Sequence, residues 1–331
     1  MTVRSFWWAT RVPGAPEPFD TAHLKIYYPA QFTGSLEERM SGFIPADRSG
    51  APYPIVVVMP GVNVGQDAYR WLAIRLVEAG FAVVTFDLVT DLMPGQFGIS
   101  PGIDLGAITP DTYGTRPPAG ALRAVLDAVA DADANGPVPG VLDTSRVALF
   151  GHSAGGTITL QSASRKWFPE LAAAATFGAH TQPATVLGYE PGALLDSPVD
   201  VPVLLMSGTE DGIMAASAVR YGQEGQERPN PVARTFTEAI SPDVEAWWAD
   251  FTGSNHFLPG DPEDPTCARG FLDGPAVADP VAARESMIGL LIDFLRHAVL
   301  QDAEATARMA GRSGNRDELV TLVRRAPATT G

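Results

Sequence analysis

The chain has 331 residues, a formal net charge of −15, 45% hydrophobic residues and one cysteine. An acidic surface with no Lys/Arg cluster excludes nucleic acid and anionic membrane as partners, because both would be repelled. A lone Cys267 excludes an intrachain disulfide and suits a reducing compartment; no apolar run reaches the roughly eighteen residues of a membrane span.

The first residues, Met1 to Trp8, lack the apolar stretch of a signal peptide, so a soluble cytoplasmic protein is expected. Ala22–Pro29 alternates in strand fashion, and residues 30–53 read as a polar connection. Ile55–Met59 and Phe81–Asp87 are apolar runs. Between them Leu72, Ala73, Leu76 and Val77 recur at helical spacing within Asp67–Ala79, closing a β-α-β unit at Gly80. Residues 88–118, rich in Gly, Pro, Thr and Asp, form a long insert without regular structure, expected to cover the site. Ala119–Ala132 is the next helix, stopped by Asn135-Gly136-Pro137, and Arg146–Phe150 the next strand. Leu171–Phe177, Val201–Met206 and Glu245–Phe251 continue the strand series, with an irregular stretch at 181–200 and a helix at Val232–Ile240. Val281–Leu300 is an amphipathic helix, and Asp317–Arg325 carries a short helical pattern. The fold class is α/β, a mostly parallel central sheet with helices on both faces and its site at the carboxyl ends of the strands. One principal domain over 1–300 and a tail over 301–331 are expected.

Gly151-His152-Ser153-Ala154-Gly155-Gly156 stands directly behind one of these strands and ahead of Thr157-Ile158-Thr159-Leu160. Strand, tight turn and helix around G-x-S-x-G make a nucleophile elbow, where closely packed backbone leaves no room for a Cβ at the glycines. Ser153 is the candidate nucleophile. A serine needs a base, and the base a carboxylate. Val201–Met206 empties into Ser207-Gly208-Thr209-Glu210-Asp211, so Asp211 is the candidate acid and Glu210 its rival. The strand ending at Phe251 empties into Gly253-Ser254-Asn255-His256-Phe257, which makes His256 the candidate base among five histidines. His23 and His297 lie in an early strand and a terminal helix, and His152 should face away from the serine it precedes. Backbone amides at Val62, in the Pro60-Gly61-Val62-Asn63 turn, and at Ala154 are candidates for an oxyanion hole. Asn63, His152, Ala179, His180 and Phe257 flank these positions and are expected around the substrate. Asp261, Glu263 and Asp264 are separated by prolines and read as a solvated turn, so neither metal nor cofactor is expected.

With its linking strands, this order of Pro60-Gly61, Gly151-His152-Ser153, Gly208-x-x-Asp211 and Ser254-Asn255-His256-Phe257 resembles the dienelactone-hydrolase-like branch of the α/β-hydrolases, especially bacterial cutinases and polyester hydrolases. The resemblance, over roughly residues 20–300, implies a cofactor-free serine carboxylic ester hydrolase acting on a small-molecule ester. It also implies Ser153, Asp211 and His256 as nucleophile, acid and base, with Val62 and Ala154 as oxyanion donors. Where polyester hydrolases carry an aromatic residue, a methionine and a tryptophan, this chain has Val62, Ala154 and Ala179, so the aromatic clamp is missing. Amide hydrolysis, lactone opening and acyl transfer use the same machinery, and a binding protein on an unused hydrolase fold is the reading from another class.

Overall fold

An unbroken apolar run such as Ile55-Val56-Val57-Val58-Met59 has no solvent face to offer, so it is stable only with helices packed on both sides. In the computed structural model, which describes residues 2–223, 230–266, 269–313 and 319–327, that is the environment it receives. The strands are β1 (Thr2–Arg11), β2 (Thr21–Ala30), β3 (Tyr53–Met59), β4 (Ala82–Met93), β5 (Gln96–Ile99), β6 (Leu142–His152), β7 (Leu171–Phe177), β8 (Val203–Gly208), β9 (Ala246–Phe251) and β10 (Val320–Arg325). They form one sheet in the order β1-β2-β4-β3-β6-β7-β8-β9-β10, with β5 paired to β4 off this path. From β4 to β9 all neighbours are parallel. The flanking pairs β1/β2, β2/β4 and β9/β10 are antiparallel.

The helices are α1 (Leu36–Ser41), α2 (Arg70–Glu78), α3 (Leu122–Asn135), α4 (Ala154–Leu160), α5 (Gly212–Ala216), α6 (Pro231–Arg234), α7 (Pro280–Leu300) and α8 (Ala303–Arg312). Alternate residues of β3 feed two cores. Ile55, Val57 and Met59 join Leu122, Val125 and Val129 of α3. Val56 and Val58 join Leu72, Leu76 and Val77 of α2 and Met287, Leu291 and Phe294 of α7. Asp279 caps α7, accepting from the Ala282 N–H at 2.8 Å, and Pro280 occupies the first turn, where a missing N–H costs no hydrogen bond.

Several expectations change. Residues 2–11 form β1, and the polar connection contains α1, capped by the Ser35 hydroxyl on the Glu38 N–H. The insert is not irregular at its start: β4 runs on to Met93 and turns back at Gly95 into β5. The helix at 232–240 is the single turn of α6 followed by a wider π turn over Thr235–Ala239. The short helix expected at 317–325 is a strand where it is described, because β9 offers an open edge: Val320 pairs with Phe251 and Leu322 with Ala249. Asp317 and Glu318 lie outside the described residues, as does Cys267. Residues beyond 300 are built into the domain, since Met309 of α8 and Leu322 of β10 are buried in the core of α7.

Candidate active site

The carboxyl ends of β6, β8 and β9 deliver Ser153, Asp211 and His256 respectively. Ser153 follows β6 with φ 55° and ψ −122°, a strained conformation costing about 1–3 kcal/mol, and its N–H donates to the Phe177 carbonyl at 2.9 Å. The surrounding glycines are demanded by contact. A Cβ on Gly151 would stand 2.5 Å from the Gly156 Cα, one on Gly155 2.1 Å from the Met59 carbonyl oxygen, and one on Gly156 2.5 Å from the Ala179 Cβ.

Asp211 and not Glu210 meets the histidine. His256 Nδ1 lies 2.7 Å from Asp211 Oδ2, while Asp211 Oδ1 accepts from the Met214 N–H at 2.8 Å. Glu210 is exposed, and among the described residues its carboxylate accepts only from the Thr209 hydroxyl. With Nδ1–H committed to the carboxylate, His256 Nε2 is left as the basic nitrogen; it is buried and has no hydrogen-bond partner among the described residues. Ser153 and His256 line one cavity of about 170 Å³ without a hydrogen bond between them. An unpaired buried nitrogen is costly in a folded protein, and a site awaiting a reacting hydroxyl is one place where it persists.

Ala154 also lines this cavity, and Gly61 passes close by: a Cβ there would stand 3.3 Å from that of Ser153. Among the described residues the N–H groups of Val62 and Ala154 have no acceptor. The Ala154 amide, next to Ser153 in the cavity wall, can stabilise negative charge developing on a carbonyl oxygen; Val62 is not among the residues lining the cavity, though it follows Gly61.

The residues expected around the substrate fare unevenly. His180 lines the cavity, and burial pushes its imidazole down to about 4. His152 does not line it: the ring is fully buried, its Nδ1 2.8 Å from the Tyr69 hydroxyl and its Nε2 2.9 Å from the His256 carbonyl oxygen. A carbonyl only accepts, so Nε2 donates and Nδ1 accepts from Tyr69, whose oxygen takes the Gly61 N–H at 3.0 Å. Burial, reinforced by the neighbouring His256, pushes His152 down to about 3, so this neutral tautomer is held throughout neutral pH. Ala179 is buried against the elbow, and Phe257 packs its ring against His152 and His256. Asn63 turns toward the hairpin, where its Oδ1 occupies the space that a Cβ on Gly98 would need.

Sequence reading missed Gly178 and Asp273, and it expected the insert near the site without naming which of its residues line it. Gly178, at φ 62°, lies so close to the pair that a Cβ would stand 2.8 Å from the His256 ring. The insert supplies Ile103, Leu105 and Ile108 to the cavity wall. Asp273 joins two loops of the site. Its Oδ2 accepts from the His256 N–H at 2.9 Å and its Oδ1 from the Gly212 N–H at 2.8 Å, so one carboxylate ties the histidine loop to the acid loop. Burial raises its pKa above the usual carboxylate range, while the backbone N–H of Gly212 pulls the other way. Asp273→Asn places an amide donor against one of these N–H groups. Turnover of a short ester is expected to fall by about ten- to a hundred-fold with KM changed less, as steady-state kinetics would reveal. Nothing in an Asp-Gly loop far from any periodic segment signals this role.

Strand-end serine, carboxylate and histidine on a doubly covered sheet define the α/β-hydrolase fold. The sequence model of the dienelactone hydrolase family matches residues 41–230, and the chain belongs to that family. It is similar to cutinase 2 of Thermobifida cellulosilytica, 28% identical over 221 residues, 67% of each chain. Cutinase cut1 of Thermobifida fusca is likewise 28% identical over 221 residues, 67% of this chain and 55% of that protein. A bis(hydroxyethyl) terephthalate hydrolase of Streptomyces coelicolor is 31% identical over 132 residues, 40% of this chain and 34% of that protein. Among the described residues no group of three or more His, Cys, Asp or Glu side chains is placed to hold a metal ion, and no helix is long and apolar enough to cross a membrane.

Proposed function

We propose that this protein is a serine carboxylic ester hydrolase working through Ser153, His256 and Asp211. Ser153 Oγ attacks the ester carbonyl as its proton passes to His256 Nε2, and Asp211 holds the ring and stabilises the imidazolium. The N–H groups of Val62 and Ala154 stabilise the tetrahedral oxyanion. Collapse breaks the acyl C–O bond, and the alcohol leaves with the proton from Nε2. Water, deprotonated by the same nitrogen, then attacks the acyl-enzyme and releases the acid. The observation that carries this reading is His256 paired through Nδ1 to Asp211, with Nε2 buried and without a hydrogen-bond partner among the described residues, beside the cavity that Ser153 lines. Relatives called cutinases and a bis(hydroxyethyl) terephthalate hydrolase support an ester as the substrate.

Only an activated serine reacts with a fluorophosphonate. The native protein is expected to label at one site, with peptide mapping placing the adduct on Ser153. An unlabelled protein, or an adduct on another residue, would remove the nucleophile from the proposal.

A further inference from the structure

The cavity of Ser153 and His256 has a larger neighbour. Behind a wall of His180, Met214 and Tyr221, which line both, a second cavity of about 570 Å³ lies between the ends of β8 and β9 and the helices α5 and α6. Among the described residues its lining includes two carboxylates and no lysine or arginine. Asp211 is committed to His256 and to the Met214 N–H. Asp250 has no such partners: among the described residues its carboxylate accepts only from the Ser207 hydroxyl, at 2.7 Å, and it forms no ion pair. Ser207 is itself held by the Trp248 indole N–H at 3.1 Å and the Asn230 amide at 3.4 Å, so its own hydrogen is left for Asp250. Gln182 is the second group without a partner. It is 6% exposed, lines the same cavity, and its side-chain amide makes no hydrogen bond among the described residues.

A buried amide and a partly buried carboxylate without partners are each unfavourable, and a ligand that brings donors and positive charge relieves both. In keeping with this, burial raises the pKa of Asp250 above the usual carboxylate range, against the pull of the Ser207 hydroxyl. An ammonium group supplies three N–H donors and the counter-charge together, and a net charge of −15 favours the approach of a cation. A bare divalent metal ion is served less well, since one free carboxylate is far short of the six or so oxygens it takes. The remaining wall, Met214, Ala215, Ala218 and Pro231, is apolar and accommodates a hydrocarbon body. We propose that this second cavity binds an organic ammonium ion, with its charged group held by Asp250 and Gln182 and its hydrocarbon part against the apolar wall. Nothing in this assignment depends on Ser153 being a nucleophile.

The test is calorimetric titration of the full chain near neutral pH with benzylammonium chloride and, separately, with benzyl alcohol, which has the same shape and no charge. The ammonium is expected to bind with a Kd lower by about ten-fold. Asp250→Asn should bring the two ligands within about three-fold of each other; comparing them on one variant cancels any general loosening of the site. Glu210→Gln, which removes an exposed carboxylate outside the cavity, should leave the preference intact. In the native protein, nuclear Overhauser contacts between the benzyl protons and the methyl group of Ala218, which lines this cavity and not that of Ser153, locate the ligand without any substitution. Equal affinity for the two ligands, a preference that survives Asp250→Asn or is lost equally in Glu210→Gln, or the absence of contacts to Ala218 would each overturn the inference.

Discussion

Replacing Ser153 with alanine is expected to lower kcat/KM for a short 4-nitrophenyl ester by about four to six orders of magnitude, because serine, base and acid act as one unit. The residual rate should still exceed that in water, since the Val62 and Ala154 amides and the cavity remain. The fold should survive: the change removes one hydroxyl at a partly exposed turn, and the backbone there is held by its N–H bond to Phe177 and not by the side chain. Initial rates together with a thermal melt separate the two effects. A variant that melts normally and hydrolyses at the native rate would end the assignment.

Gly155→Ala is expected to be the most damaging single methyl group in the molecule. Its Cβ would meet the Met59 carbonyl oxygen at 2.1 Å, the Met59 carbonyl carbon at 2.5 Å and the Pro60 carbonyl oxygen at 2.6 Å. All three are backbone atoms at the end of a central strand, so no side chain can swing aside, and α4 would have to lift away from β3. We expect a loss of about 3 kcal/mol or more, a large part of the margin that keeps a domain folded. The control is Gly65→Ala, where φ is −67° and the nearest atom is Ile99 Cδ1 at 3.7 Å. It should alter stability by less than about 1 kcal/mol. Chemical denaturation of both variants measures the difference, and a Gly155 variant as stable as the native protein would mean that the elbow is packed more loosely than these distances state.

What the residues disclosed in advance follows from how each signal arises. β7 was legible to the residue, because a strand buried on both faces is a continuous apolar run with sharp ends. The elbow was legible because its glycines and serine lie together in sequence, and Asp211 and His256 because each follows a readable strand. β10 was misread since six residues with apolar side chains at Val320, Leu322 and Val323 fit a helix or a strand, and only the open edge of β9 decides between them. The hairpin of β4 and β5 was overlooked although Pro94-Gly95 marks its turn. Asp273 was beyond reach for another reason. Its contacts arise where loops meet in space, and no local pattern records that meeting.

The hydrogen-bonded chain from Gly61 through Tyr69 and His152 to the His256 carbonyl joins three segments nearly two hundred residues apart in sequence. Beneath the reacting groups it acts as a keystone, so the segments must be inherited or transplanted as a set. Residues 100–118 take no part in this run of hydrogen bonds, so foreign loops grafted there should leave it intact. A graft replacing 60–69 without a matching residue at 152 would leave a buried donor or acceptor stranded between the elbow and the histidine loop.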